Sequence, residues 1–223
     1  MNRFWHKHID HPAVFISAVS ILGVVYAVGV VGLNSAYQDY FIRLTPLNLL
    51  MSFVLVAMYH RATAVSSFLY FFFSAYMLGW AVEVLGIHTG FPFGAYSYTD
   101  RQGWRIAGVP LLIGVNWFLM SYSFGVILCR RNFSRSQQVL AGALAMTFID
   151  VLLEFFAVHH QLWIWEGRSY PGWENFAGWF GVSLLLQCLF VHFIPDTHNR
   201  IAPVYILCLF VFLAANVIGL FFF

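Results

Sequence analysis

The sequence predicts an all-α, polytopic membrane protein, a bundle of about seven transmembrane helices. Three observations carry that prediction. Apolar residues make up 61% of the 223-residue chain and charged residues only 9%. Mean hydropathy is +0.77, and the apolar residues gather in runs of about 20, the length at which a helix spans a bilayer. The charged residues fall between these runs or at their ends, with three exceptions taken up below. A chain of this length suits one domain, so residues 1–223 read as a single helical membrane unit.

The seven spans follow in order. The first, 12–33, starts directly after His11 and is too long for the apolar core of a cleavable signal peptide. The second, 41–59, is the weakest pattern, because Pro46 and Asn48 interrupt it early. The remaining spans are 65–86, 107–128, 138–158, 174–194 and 201–222. No internal repeat or low-complexity segment separates them. The ending Leu220-Phe221-Phe222-Phe223 is expected to stop at or within the membrane.

The basic residues read as topology signals. A net charge of +2 and a pI near 8.5 are no nucleic-acid signature. Arg3, Lys7, Arg61, Arg130, Arg131, Arg135 and Arg200 fall on one side; Arg43, Arg101, Arg105 and Arg168 fall on the other. The richer side is expected to be cytoplasmic, with the N-terminus in and the C-terminus out. The two longest loops, 87–106 and 159–173, then share the outer side. Both are rich in aromatics: Phe91, Phe93, Tyr96, Tyr98 and Trp104 in one, Trp163, Trp165, Tyr170 and Trp173 in the other. Two readings stand for these residues, an interfacial aromatic belt and a lid over an apolar ligand.

Some chemistries are set aside here. Cys129, Cys188 and Cys208 lie in or beside apolar runs without CxxC spacing, so no disulfide framework or zinc site is expected. A retinal photoreceptor needs a Schiff-base lysine inside the bundle, and the single lysine is Lys7, ahead of the first span. His88, His159 and His160 fall near one another at the outer side. Adjacent histidines on a helix seldom face one site, so interfacial histidines compete with the metal-ligand reading. His6, His8 and His11 read as a cytoplasmic leader.

The three exceptions are Glu83, Asp150 and Glu154, each inside an apolar run. A charge at bilayer depth is costly, so an acid there points to function. Asp150 and Glu154 stand four apart, on one helical face. At about 1.5 Å per residue, Asp150 and Asn116 fall roughly 12–14 Å from the outer boundary, Glu83 and Glu154 about 4–6 Å, and Asn48 and Asn216 about 10 Å. Polar groups from five spans thus share the outer half. The competing reading is private hydrogen bonding across helix pairs. Burial disfavours the ionised form, and a second carboxylate nearby disfavours it further, so Asp150 and Glu154 are expected to share one proton. No lysine or arginine inside the spans neutralises them, and proton chemistry or proton coupling is the natural use.

The stretch Gly79-Trp80-Ala81-Val82-Glu83-Val84-Leu85-Gly86-Ile87-His88-Thr89-Gly90-Phe91-Pro92-Phe93-Gly94-Ala95-Tyr96-Ser97-Tyr98 is distinctive. After it come Gly108-Val109-Pro110-Leu111-Leu112-Ile113-Gly114-Val115-Asn116-Trp117, Asp150-Val151-Leu152-Leu153-Glu154, Trp163-Ile164-Trp165 and Asn175-Phe176-Ala177-Gly178-Trp179-Phe180. In this order, over about residues 70–195, they resemble the membrane carotenoid-biosynthesis protein family, whose members include carotenoid 1,2-hydratases and a bisanhydrobacterioruberin hydratase. The family often has proline after the span-five glutamate, where this chain has Phe155.

The resemblance implies a cofactor-independent hydro-lyase. Water would add across the terminal C1–C2 double bond of a carotenoid ψ-end, with γ-carotene or lycopene as substrate and the lipid bilayer as surroundings. Proton transfer from a carboxylic acid would give a tertiary carbocation for water to capture. No cofactor is expected, since the chain carries neither a Gly-rich dinucleotide fingerprint nor a histidine-box pattern, and no metal is assigned. Asp150, Glu154, Glu83 and Asn116 are the catalytic candidates: Asp150 as donor or partner, Glu154 its coupled carboxylate, Glu83 facing them, Asn116 positioning water. Trp117, Trp163, Trp165, Trp179, Phe91, Phe93, Tyr96 and Asn175 are the substrate-binding candidates. The expected location is a bacterial or archaeal cytoplasmic membrane. A carotenoid or terpene cyclase using the same protonation, and a proton-coupled carrier of an apolar ligand, are the alternatives.

Overall fold

The computed structural model describes residues 11–61, 64–195 and 197–222. Arg3, His6, Lys7 and His8 lie outside the described residues. Eight helices are present among them: α1 (Pro12–Leu33), α2 (Gln38–Ile42), α3 (Thr45–Met58), α4 (Val65–Thr89), α5 (Ile113–Cys129), α6 (Arg135–His159), α7 (Trp173–Phe193) and α8 (Ile201–Phe222). Two short antiparallel ladders sit in the long loops. β1 (Tyr96–Tyr98) pairs with β4 (Trp163–Trp165), and β2 (Arg105–Ile106) pairs with β3 (Val109–Pro110).

The chain is all-α and membrane-like. Each expected span coincides with a helix, and α1, α4, α6, α7 and α8 are long and apolar enough to cross a bilayer. The other two are shorter. Helix α3 has 14 residues and α5 has 17, about 21 and 26 Å of rise against a hydrocarbon core of about 30 Å.

Helix α5 makes up for its length by position. Every residue from Trp117 to Val126 is buried, the pattern of a helix enclosed on all sides. It packs against α3, α4, α6, α7 and α8. Around it the outer helices turn apolar residues outward, such as Val24, Val28, Phe73, Leu144 and Leu207. Those faces suit lipid rather than water.

The ends differ from the apolar runs where local chemistry overrides hydropathy. The expected span 41–59 is broken: residues 38–42 form the separate turn α2, and α3 restarts with Pro46 in its first turn, where a missing N–H costs nothing. The expected start at 107 moves to Ile113, because Ala107 (φ 49°) and Gly108 (φ 82°) make the two-residue turn of the β2–β3 hairpin. Helix α4 runs past 86 to Thr89 and stops at Gly90, whose φ of 75° is left-handed and whose N–H reaches Gly86 O at 2.7 Å. Helix α6 begins at Arg135, ahead of the expected 138, because Ser134 and Gln137 form a reciprocal capping box. Phe155, in the place of the family's proline, leaves α6 unbroken beside Glu154.

A buried-acid cage at one end of the bundle

Helix α4 brings Glu83 to the centre between two glycines. Gly79, Glu83 and Gly86 share one face. A Cβ on Gly79 would sit 2.5 Å from Trp117 Cβ, and one on Gly86 would sit 3.0 Å from the Tyr96 hydroxyl and 3.1 Å from Phe93. The missing side chains let α5 and the loop after α4 close on the acid. Gly178 on α7 does the same, since a Cβ there would meet Phe93 at 2.8 Å and Pro92 O at 2.9 Å.

The β1–β4 ladder roofs this space. Its register sets Tyr96 opposite Trp165, Ser97 opposite Ile164 and Tyr98 opposite Trp163. Side chains alternate across a strand, so the four aromatic rings are buried while Ser97 and Ile164 face outward. The inward set is therefore Phe93, Tyr96, Tyr98, Trp163 and Trp165. Phe91, Trp104, Tyr170 and Trp173 are exposed, as the belt reading expects. Phe91, a substrate-binding candidate, does not reach the cage.

All three acids are buried, at 5% exposure or less, and aromatic N–H and O–H groups answer two of them. Glu83 Oε1 accepts from Trp117 Nε1 at 3.0 Å. Its Oε2 accepts from the hydroxyls of Tyr96 and of Tyr98, the latter at 2.8 Å. Glu154 Oε2 accepts from Trp163 Nε1 at 3.1 Å and Trp165 Nε1 at 3.0 Å. Asn175 Nδ2 bridges the pair, donating to Asp150 Oδ2 at 3.0 Å and Glu154 Oε1 at 3.3 Å. Asp150 Oδ1 is buried with no hydrogen-bond partner among the described residues. Burial, then the neighbouring Glu83, pushes the Tyr96 and Tyr98 hydroxyls above their ordinary range, which keeps both as donors.

Two connected spaces open on this network. The smaller, about 20 Å³, is walled by Glu83, Glu154, Asn175 and the rings of Phe93, Tyr96, Tyr98, Trp163, Trp165 and Trp179. The larger, about 90 Å³, shares Glu83, Tyr98, Trp163 and Trp179 and extends to Asn116, Trp117 and Asn48. Trp117 and Trp179 stack with centroids 4.0 Å apart. Asp150 lines neither space; it stands one helical turn behind Glu154. Among the described residues the ion pairs are Arg101–Asp39 and Arg168–Glu174, and neither touches the three acids. No cluster of three metal-ligating side chains occurs among them.

The structure therefore brings together every named candidate except Phe91, and it adds Tyr98 as a donor. The alternation Tyr96-Ser97-Tyr98 against Trp163-Ile164-Trp165 is a period-two strand signal that points to Tyr98. Asn216 takes the private-bond reading instead: its Oδ1 accepts from Asn34 Nδ2 at 3.0 Å, tying α8 to the end of α1. His160 is buried against Phe156, with ring centroids 4.7 Å apart.

Comparison with known proteins gives three findings. A sequence profile for a family described as carotenoid biosynthesis protein matches residues 44–222. The bisanhydrobacterioruberin hydratase of Haloarcula japonica is 29% identical over 120 residues. That stretch covers 49% of this chain and 41% of the relative. No solved structure matches.

Proposed function

This chain belongs to the carotenoid biosynthesis protein family, and from that premise we propose that it hydrates the terminal C1–C2 double bond of an acyclic or monocyclic carotenoid such as lycopene or γ-carotene. The observation that carries the reading is the convergence of three buried, cation-free carboxyl groups, two of them facing an aromatic-walled cavity. One relative is a hydratase by name, and a cage of this kind suits that chemistry.

The roles follow from the hydrogen bonds. Glu83 receives three donors, the setting of an acceptor-only carboxylate. Asp150 receives one and keeps a buried oxygen unanswered, which an uncharged acid tolerates better than an anion. Asp150 and Glu154 then hold one proton between them, with Asn175 clamping the pair, and Glu154 presents it because it lines the cage. The proton goes to C2 of the terminal alkene and leaves a tertiary cation at C1. Ring faces of Trp163, Trp165 and Trp179 and the Glu83 carboxylate stabilise that cation. Water bonds to C1, Glu83 takes the surplus proton, and its return across the cage resets the pair. The net change is alkene plus water to tertiary alcohol. Asn116 lines the larger space with Glu83 and orients the water.

Co-expression with a lycopene-producing pathway tests this. The wild-type chain is expected to yield product heavier by one water. Asp150→Asn and Glu154→Gln should each lower conversion by at least about a hundredfold, the scale of a lost general acid, at unchanged membrane abundance. A product of unaltered mass but new retention would show cyclisation instead, and an unaltered carotenoid extract would show a carrier.

A further inference from the structure

Next to the acid chamber lies a second, larger space of about 300 Å³, an apolar cleft between α1, α3 and α8. Val24, Val28, Gly29, Leu47, Met51 and Phe212 are among its walls. Thr45, Asn48 and Phe212 line this cleft and the acid chamber alike, so the two adjoin. The lip faces outward from the bundle, with Val24 60% and Leu47 64% exposed. In a membrane-spanning chain that direction is lipid.

We infer that this cleft is the lateral entrance from the bilayer and the subsite for the long hydrocarbon chain of a linear polyene whose terminus reacts in the chamber. The inference rests on the hydratase reading for the nature of the occupant and on geometry for the path. The reacting alkene is one end of a much longer linear molecule. At the acid end the way is closed by the β1–β4 ladder and the Trp117–Trp179 stack. The rest of the chain needs an apolar route out, and this cleft shares three wall residues with the chamber, against one, Gln102, for the opening beside Trp104. The cleft reaches the lower end of the roughly 300–1,000 Å³ usual for small-molecule sites; with the chamber it makes one channel with the acids at its inner end.

The walls are built to stay apart. Helix α1 is fixed to α8 at two points, the Asn34–Asn216 hydrogen bond and the edge-to-face contact of Tyr26 with Phe212 at 5.6 Å. Gly29 sets the width at the junction, because a Cβ there would lie 3.0 Å from the Phe212 ring. Asn48 Oδ1 is buried at the same junction with no partner among the described residues, and it offers an acceptor to a hydroxylated end on its way out. Helix α1 precedes the stretch that matches the family profile. One wall of the channel therefore lies outside the stretch that the family profile matches.

Purified protein in detergent, titrated with lycopene and with a short acyclic isoprenoid bearing the same terminal alkene, tests the channel through quenching of tryptophan fluorescence. Gly29→Leu and, at the exposed lip, Val24→Trp should each weaken lycopene binding by about tenfold while changing that of the short compound less than about twofold. Gly29→Ala, whose methyl needs only a small shift of Phe212, should leave lycopene affinity within about twofold. Equal losses for both ligands, or unchanged lycopene affinity in both variants, would overturn the inference. Because binding is read without turnover, a protein that binds lycopene in this pattern yet never hydrates it would sink the proposed reaction and leave the channel standing.

Discussion

The two ends of α5 use the same side chains to opposite effect. At the acid end, aromatic rings stand around a space, and their N–H and O–H groups point into it at Glu83 and Glu154. Away from the cage, Phe68, Phe71 and Tyr122 close on Phe118, and Phe190 closes on Phe71 and Tyr122, with ring centroids from 5.4 Å upward. Some polar groups there bond in pairs. His60 Nδ1 and the Tyr122 hydroxyl lie 2.7 Å apart, and Gln187 Nε2 donates to Ser121 O at 3.0 Å. Glycines draw the helices together at both ends, Gly79 against Trp117 and Gly125 against Phe190. What separates cage from plug is the placement of acids: a buried carboxylate demands several donors, and donors arranged around it cannot also interdigitate.

The sharpest way to break this comparison is to neutralise an acid and an amide in parallel. Glu83→Gln should reduce formation of hydroxylated carotenoid by about a hundredfold or more, as expected for removing a group that acts on the proton. Gln187→Leu should leave product formation within about threefold while altering stability on the scale of one buried hydrogen bond. Product per unit of membrane-inserted protein is the measurement. Comparable losses in the two variants would mean that the acids serve packing alone.

Truncating a ring of the plug should do the reverse. Phe118 is fully buried and touches Phe53, Phe68, Phe71, Phe72 and Tyr122. Phe118→Ala is expected to cost about 3–5 kcal/mol of stability, read as a lower unfolding temperature in detergent. The identity of the product made by the surviving fraction should not change. A variant of wild-type stability would mean that this end is loosely packed.

How far the sequence could reveal each end follows from the signals involved. The spans and the acids were legible because hydropathy and charge at depth are local properties: Glu83, Asp150 and Glu154 stand out in any window that contains them. Rise per residue put Glu83 and Glu154 at one level, and both face the small cavity. Asp150, read as donor or partner, lies one turn deeper and reaches the site through Asn175. Which residue on an acidic helix face touches a cavity depends on the neighbouring helices, and these the sequence does not order. The shortness of α3 and α5 was hidden for a similar reason. Apolar residues in α2 and in the β2–β3 hairpin extend the hydropathy of the adjoining helices, although Pro46 and the Ala107-Gly108 turn end the helical backbone. The aromatic loops were divided between belt and lid only once the β1–β4 pairing fixed which rings turn inward.

The mildest test sharpens where the acid end stops. His160 follows α6 and packs on Phe156, which lines the larger chamber and meets Phe212 at 5.2 Å. Burial, reinforced by His159 and Arg101 and opposed by Asp39, pushes the imidazole of His160 down to about 4. The unfolded chain therefore takes up this proton first. The stabilisation is complete above the ordinary histidine value of about 6.5 and declines as pH falls through the window toward about 4. Unfolding temperature in detergent should drop across that window, and His160→Gln should flatten the drop. If the variant keeps the full pH dependence, the loss belongs to other groups, and the boundary of the acid end lies inside His160.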